Sequence, residues 1–575
     1  MSCSTELNKW LSNTTDDEKT QKELKSIIND PEEVESRFGS ALAFGTAGLR
    51  GVMGAGLNRM NVYTVRQTTQ GLANLIVSRG TTAMARGVAI AHDSRHNSRR
   101  FALEAACVFA ASGIVSYVFD ELRPTPELSF AIRELKCIAG VNITASHNPK
   151  QYNGYKVYWE DGAQISPHLA DTVLGEIRKT DIFSGVGRMP LEKAEAKGLV
   201  RFIGSEVDEK YLKNVLEQSL CPDAVRAVAD DFKIIYTPFH GAGYKLVPEV
   251  LRRTGFKHII PVAEQMVIDG DFPTVKSPNP EEKEGFNIAI GMAKRMNIDL
   301  IIGTDPDSDR AGVVVRRSDG EYICLSGNQI GAMLVDFIIS IRREKGILPK
   351  NAAVVTTIVS TRIASEICRR NGVAEFETLT GFKFIGEKIK EFEETGDYTF
   401  IFGFEESFGY LCGSYARDKD AVLASMLIAQ MAAWYKLKGM TLYDALIKVY
   451  EKYGWYREKT TSILMQGNDA LEHMHELMKR LRAKSPADID GTAIVAVRDY
   501  LSGKRTELAT GKTSSTGLPE SDVLAYELAD GSTIVIRPSG TEPKVKLYLL
   551  VKGDDADSAQ ALIDRYEKAF RAMLS

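Results

Sequence analysis

Short apolar runs alternate with amphipathic stretches along most of the chain. Gly87-Val88-Ala89-Ile90-Ala91 reads as a buried strand, Ser98 to Ala111 as an amphipathic helix closed by Gly113, and Ile114 to Phe119 as the next strand. Strand, helix, strand predicts a parallel βαβ unit. Before it, residues 1–40 are polar and helical, with a start signal at Thr15-Asp16-Asp17-Glu18, and residues 61–79 carry helical periodicity. After it, Pro124-Thr125-Pro126 breaks the chain ahead of a helix and a further buried strand at Cys137 to Ile143. A second set has strands at Lys233 to Tyr236 and Asp299 to Gly303, a helix at Tyr244 to Arg253 and an extended run at Gly312 to Val315. A third has helices at Asn328 to Ile341 and Asp420 to Leu437 and strands at Ala353 to Ile358 and Thr399 to Phe402. The end differs in kind. Asp522 to Leu528 alternates and meets Ser532 to Ile536 across Asp530-Gly531, a hairpin signal. A strand at Lys544 to Leu550 and a helix at Asp557 to Ala572 follow. Grouped strands with helices on one face predict an α+β domain. The expected fold is therefore α/β: three mixed α/β domains (1–205, 206–318 and 319–455) and a C-terminal α+β domain (456–575).

Composition changes this picture little. With 575 residues, 44% hydrophobic and 26% charged, the chain is an ordinary globular protein of several domains. A net charge of -4 gives no global attraction to nucleic acid or anionic membrane, although local basic loops can still bind phosphate. The 7 cysteines include no C-x-x-C pair and are expected as reduced, mostly buried thiols. The polar N-terminus lacks a signal-peptide core, and no apolar run reaches membrane-spanning length, so a cytoplasmic location is expected. Oligomeric state is not legible.

The chemistry sits at the ends of the strands, where open α/β sheets place it. Thr144-Ala145-Ser146-His147-Asn148-Pro149, followed by Asn153-Gly154-Tyr155-Lys156, presents a serine with a histidine, an asparagine and a lysine close in sequence. A serine hydroxyl is a poor nucleophile until a neighbour activates it. Phe44-Gly45-Thr46-Ala47-Gly48-Leu49-Arg50-Gly51 lets backbone approach a ligand, and Arg50 can fork onto phosphate; an ordinary glycine turn has the same wording. Asp305, Asp307 and Asp309 alternate just past a strand. An extended backbone there would point all three to one side, where hard oxygens suit Mg²⁺. An EF-hand is excluded by Pro306 and Arg310, and the apolar strand before the triplet argues against a plain surface turn. Arg310 could neutralise a bound phosphate. Glu405 and Ser407 offer a carboxylate and a hydroxyl for sugar hydroxyls, or equally a helix cap. Arg537, Ser539, Gly540 and Thr541 form a compact anion-binding set without a P-loop lysine, so ATP is not implied; a hairpin loop is the alternative. Lys156, His240, Lys383 and Lys419 are placed at loop mouths.

Taken in order, these loops resemble the α-D-phosphohexomutase superfamily over nearly the whole chain, from about Phe44 onward. The serine loop, the Asp triplet and the Arg-Pro-Ser-Gly-Thr loop carry most of the resemblance. The wording Gly403-Phe404-Glu405-Glu406-Ser407-Phe408-Gly409 departs from the Gly-Glu-x-Ser-Gly-His of bacterial phosphoglucomutase/phosphomannomutases. It looks more like the branch with phosphoglucomutase-2-type enzymes, phosphopentomutases and glucose-1,6-bisphosphate synthases, which opens the choice among glucose, mannose, ribose and deoxyribose. The resemblance implies four domains around a central cleft and a phosphorylated Ser146. It further implies Mg²⁺ on Asp305, Asp307, Asp309 and the serine phosphate, with His147 and Arg50 supporting that phosphate. Thr46, Arg50, His240, Lys383, Glu405, Ser407, Lys419, Arg537, Ser539, Gly540 and Thr541 are implied substrate contacts, the partner being a small phosphosugar. Glucose 1,6-bisphosphate is the implied intermediate and activator. Lys156 and His240 both stand as candidates for the general base. A metal-dependent phosphatase with an Asp nucleophile in the Asp305 loop, and a non-catalytic sugar-phosphate sensor, are the rival readings.

Overall fold

The computed structural model describes residues 2–45, 48–464, 470–538 and 544–574. The chain forms two compact units. The first comprises residues 1–325, 386–394 and 409–441; the second comprises 326–385, 395–408 and 442–575.

The first unit holds two sheets. In one, the strands Ser116–Phe119, Val88–His92 and Ala139–Ile143 are parallel neighbours, as the alternating pattern predicts. Val88, Ile90, Val141 and Ile143 are buried in one core with residues of the helices Val62–Ser78 and Ser98–Ala111, and the helix Thr125–Glu134 also packs on these strands. Parallel strands covered on both faces read as continuous apolar runs, which is why these were legible. Tyr152–Trp159, which follows the serine loop, is a strand antiparallel to Ala139–Ile143. Its register sets Asn142 opposite Lys156. Gly154 makes this pairing possible: a Cβ there would lie 2.4 Å from the Thr144 carbonyl oxygen. The N-terminal helices Cys3–Asn13, Glu18–Ile27 and Pro31–Phe38 pack around Trp10, and the middle one starts on Asp17, whose side chain accepts from Thr20 N–H.

The second sheet of this unit runs Tyr322–Leu325, Ala311–Arg316, Leu300–Thr304, Lys233–Thr237 and His258–Pro261. Leu300–Thr304 is parallel to Lys233–Thr237 and antiparallel to Ala311–Arg316. The helix Ala421–Lys436 packs on Gly243–Thr254 in this unit. It is apolar nearly all round, so it needs cover on more than one side.

In the second unit, Ala374–Thr378, Ala352–Thr357 and Thr399–Glu405 are parallel neighbours. The helix Gly327–Glu344 opens on a reciprocal cap between Ser326 and Gln329. The C-terminal sheet is antiparallel, and the predicted hairpin joins Leu524–Leu528 to Thr533–Pro538 through Gly531 at φ 85°. The helix Ala556–Leu574 covers one face, where Ile563, Tyr566 and Phe570 are buried. Ile358, Val359 and Leu379 pack against Tyr500, Val535 and Tyr548 of this sheet. Arg498 binds both Glu377 (2.8 Å) and Glu527 (2.5 Å), and Arg362 also pairs with Glu377. None of the seven cysteines forms a disulfide among the described residues, and five are buried. No helix among the described residues is long and apolar enough to cross a membrane.

Candidate active site

Ser146 follows the strand Ala139–Ile143 and is buried. Its backbone is left-handed, φ 51°, a conformation that costs a non-glycine residue roughly 1–2 kcal/mol. The loop is held from several directions. Ser146 N–H donates to Thr144 Oγ1 (2.8 Å). The Ser146 hydroxyl donates to Asp305 Oδ2 (2.7 Å), and His147 Nδ1 lies 3.2 Å from Ser146 Oγ. Burial, then the nearby Arg310, pushes the His147 imidazole well below its usual range, so it is neutral.

The three aspartates converge by a different route from the expected one. Residues 305–309 form a turn, not an extended run. Ser308 N–H donates to the Asp305 carbonyl (2.9 Å) and Ser308 sits at φ 52°. Pro306 favours the first corner of such a turn. Asp305 Oδ1 then accepts from the backbone N–H of Asp309 (3.1 Å) and Arg310 (3.0 Å). One oxygen from each carboxylate lies within 4.8 Å of the others, and all three residues are buried.

Buried carboxylates this close repel unless cations or a metal balance them. Lys156 Nζ is 2.7 Å from Asp307 Oδ2, and Lys419 Nζ is 3.0 Å from Asp309 Oδ2. Thr125 Oγ1 donates to Asp307 Oδ2 (3.0 Å) and accepts from Asn142 Nδ2 (2.7 Å). Burial pushes Asp305 well above the carboxylate range, and Asp307 and Asp309 push it further. Burial acts the same way on Asp307, but the Lys156 ammonium, the hydrogen bond with Asp305 and Lys419 together outweigh it and hold it low. Asp309 is raised, by burial and then by Asp307. Asp307 Oδ1 and Asp309 Oδ1 are buried without a hydrogen-bond partner. Arg310 Nε stands 3.9 Å from Asp309 Oδ1, beyond hydrogen-bond reach, and its Nη1 donates to Glu281 (3.1 Å). Two orphaned anionic oxygens beside Asp305 fit a hard divalent cation.

Several expected residues land elsewhere. Burial alone would lower the Lys156 pKa, but Asp307 and Asp309 raise it above the usual lysine value. Those two carboxylates favour its ammonium form. His240 is fully buried; its Nδ1 donates to the Val267 carbonyl (2.7 Å) and its Nε2 lies 2.8 Å from Thr274 Oγ1. Both nitrogens are used inside the fold, which leaves neither for a sugar or for proton abstraction. Lys419 is buried between Asp309 and Asp418 (2.9 Å), not at a loop mouth. Arg50 reaches the serine loop, donating to Asn148 Oδ1 (3.2 Å).

The second unit carries the other expected groups. Glu405 ends its strand and its Oε1 accepts from Gly381 N–H (2.7 Å), at the start of the helix that carries Lys383. Lys383 Nζ lies 4.9 Å from the Phe384 ring centroid. Ser407 is half-buried in the turn that follows. Arg537 is near the end of its strand, opposite Lys546. The Tyr548 phenol is raised by burial and then by Glu406, with Glu405 adding and Arg537 opposing, so these groups share one neighbourhood. Thr46, Ser539, Gly540 and Thr541 lie outside the described residues.

Arg95 and Thr125, which the sequence does not single out, also contact the serine loop and the Asp triplet. Arg95 is buried and its guanidinium meets four carbonyls of the serine loop. The only signal was its place at a strand end, in His92-Asp93-Ser94-Arg95. Thr125 gave none, because its partner Asp307 is 182 residues away.

Comparison with known proteins agrees in order along the chain. Models of the phosphoglucomutase/phosphomannomutase alpha/beta/alpha domains I, II and III match residues 41–182, 209–320 and 326–453, and that of the C-terminal domain matches 478–569. A phosphoglucomutase from Staphylococcus epidermidis is 37% identical over 538 residues, covering 93% of this chain and 95% of that protein. One from Staphylococcus aureus is 35% identical over 549 residues, covering 94% and 95%. The fold resembles the open form of parafusin, a phosphoglucomutase from Paramecium, at TM-score 0.69 and 17% identity, over 93% of this chain and 96% of that one.

Proposed function

The chain belongs to the phosphoglucomutase/phosphomannomutase family, and we propose that it interconverts glucose 1-phosphate and glucose 6-phosphate through phospho-Ser146 and a glucose 1,6-bisphosphate intermediate. The observation that carries this reading is the Ser146 hydroxyl, held 2.7 Å from the first of three buried carboxylates. In the forward step a sugar hydroxyl oxygen attacks phosphorus and gives up its proton, the P–Oγ bond breaks, and Ser146 Oγ leaves and takes up a proton, so that none is gained or lost overall. In the return step Ser146 Oγ takes the other phosphate of the bisphosphate. Asp305, Asp307, Asp309 and the Ser146 side chain would hold Mg²⁺, which spreads the charge of the transferring phosphoryl group.

The protein's own groups divide the remaining work. Lys156 and Lys419 balance the carboxylates and keep positive charge beside the reacting phosphate. His147, neutral and 3.2 Å from Ser146 Oγ, is placed to exchange a proton with it. Arg310 and Arg50 are the guanidiniums at hand for the serine phosphate. Glu405 and Ser407 would take sugar hydroxyls in either orientation, and Arg537 with the loop after it would grip the phosphate that is not reacting. A phosphatase with an Asp nucleophile is less well served: Asp305 faces the Ser146 hydroxyl and two backbone N–H groups, not an open approach.

The test is kcat/KM for glucose 1-phosphate, mannose 1-phosphate and ribose 1-phosphate, measured side by side with glucose 1,6-bisphosphate and Mg²⁺ present. Glucose 1-phosphate is expected to be the best substrate. A higher value for ribose 1-phosphate would move the proposal to the pentose branch that the Glu405 loop resembles, and no turnover of any of the three would end it.

A further inference from the structure

Ser146 keeps a strained backbone, and its side-chain contacts do not explain how. The loop closes on Arg95. Nη2 donates to the carbonyls of Ser146 and Asn148, each at 2.5 Å. Nη1 donates to those of Pro149 (2.9 Å) and Tyr152 (3.1 Å). These four carbonyls bracket the whole connection from Ser146 into the strand Tyr152–Trp159. The guanidinium is aimed in turn. Asp93 Oδ2 lies 3.2 Å from Arg95 Nε, with both side chains wholly buried, and Asp93 Oδ1 accepts from Arg95 N–H (2.9 Å) and Ser98 Oγ (2.7 Å). The Phe272 ring covers the guanidinium at 5.1 Å. The same stretch of chain touches the loop elsewhere: Lys150 pairs with Asp271 (3.1 Å), and Ser277 Oγ donates to the His147 carbonyl (3.3 Å).

We infer that Arg95 is a positioning residue for phosphoryl transfer: it pins the carbonyls of residues 146–152 so that Ser146 stays left-handed with Oγ aimed at Asp305. A planar fork with separated donors suits this task, because the four carbonyls approach from different directions. Lysine offers its donors from one atom and cannot span them. Arg95 acts only through the loop, and the substrate groups of the second unit belong to other segments. It should therefore govern the rate of transfer and leave hexose phosphate binding unchanged. The inference rests on the serine mutase reading above.

The experiment compares wild type, Arg95→Lys and Arg95→Ala with glucose 1-phosphate, and adds guanidinium ion at millimolar concentration to the alanine variant. Thermal unfolding is followed in parallel. Expected for Arg95→Lys is a kcat lower by roughly a hundredfold with KM within about threefold, and a matching drop in the rate at which glucose 1,6-bisphosphate phosphorylates Ser146. Guanidinium should restore part of kcat in Arg95→Ala and nothing in wild type. Wild-type kcat in a folded Arg95→Lys would overturn the inference. So would a loss in Arg95→Ala that guanidinium does not relieve while the protein remains folded. If Arg95→Ala does not fold, Arg95→Lys decides alone. An inactive wild type would count against the mutase reading itself, which separates the two failures.

Discussion

The Ser146 centre of the first unit and the Glu405–Arg537 neighbourhood of the second handle charge in opposite ways. Around Ser146, three carboxylates, Lys419 and the Arg95 clamp are buried, Lys156 is partly buried, and apart from Asp307 Oδ1 and Asp309 Oδ1 the carboxylate oxygens of the triplet are tied to partners. Around Tyr548, Ser407 and Arg537 are half-buried at turn and strand ends, and Glu405 is anchored to a backbone N–H. Phosphoryl transfer needs charges placed before the reaction begins, because reorienting them costs free energy at the barrier. A sugar that must be accepted in two orientations needs donors and acceptors with some freedom. The contrast predicts that changes in the first region act on the chemical step, and changes in the second on how substrate is held.

The largest effect should come from Ser146→Ala. Removing the group that carries the phosphate should lower kcat by about 10³-fold or more, and mass spectrometry should find phosphate on Ser146 in the wild type alone. Substantial turnover by the alanine variant would dissolve the distinction between the two regions.

Next is Asp307→Asn. It removes a hard ligand and leaves Lys156 without its nearest counter-charge, so kcat should fall by about 10²-fold, equivalent to about 2.7 kcal/mol. The pH dependence of the wild type sharpens the same point. Asp305 and Asp309 are raised, so they hold protons to higher pH than free carboxylates, and a cation must displace those protons. Apparent Mg²⁺ affinity should therefore weaken as pH falls through the raised range, with proton release on binding. Titration calorimetry in buffers of different ionisation enthalpy would show it; a pH-independent affinity would contradict the charge assignment.

Arg537→Ala probes the other region. Loss of a charge-assisted fork to the distal phosphate should cost about 1.5–3 kcal/mol, roughly ten- to a hundredfold in kcat/KM. Slow hydrolysis of phospho-Ser146 by water, which uses no distal phosphate, should be nearly unchanged. If both rates fall together, the two regions are not separable in this way.

The smallest effect is expected from Thr125→Val, which deletes one hydrogen bond from an uncharged hydroxyl to the Asp307 carboxylate. About 1 kcal/mol, or roughly fivefold in kcat, follows. An unchanged kcat would show that Lys156 alone fixes that carboxylate.

The apolar strands and amphipathic helices were legible from the sequence because burial imposes its period on neighbouring residues. The runs at Val88–His92, Ala139–Ile143 and Leu300–Thr304 could hardly be anything but buried strands. The serine, the acidic triplet and Glu405 were legible too, since each sits within a few residues of such a strand end. What the sequence could not carry was any feature made by residues far apart in the chain. The turn that gathers Asp305, Asp307 and Asp309 is local but escaped too, because it needs Ser308 in a left-handed backbone that serine rarely adopts. Lys156 reaches Asp307 because Tyr152–Trp159 pairs antiparallel with Ala139–Ile143. His240 loses its candidacy to Val267 and Thr274, and Lys419 becomes a partner of Asp309 across 110 residues. The sequence by itself determined which chemical groups stand at which strand ends, because local periodicity and turn residues act over a few positions. Only the tertiary structure decided which of those groups meet and which carry charge, because desolvation and ion pairing depend on neighbours that the chain brings together from hundreds of residues apart.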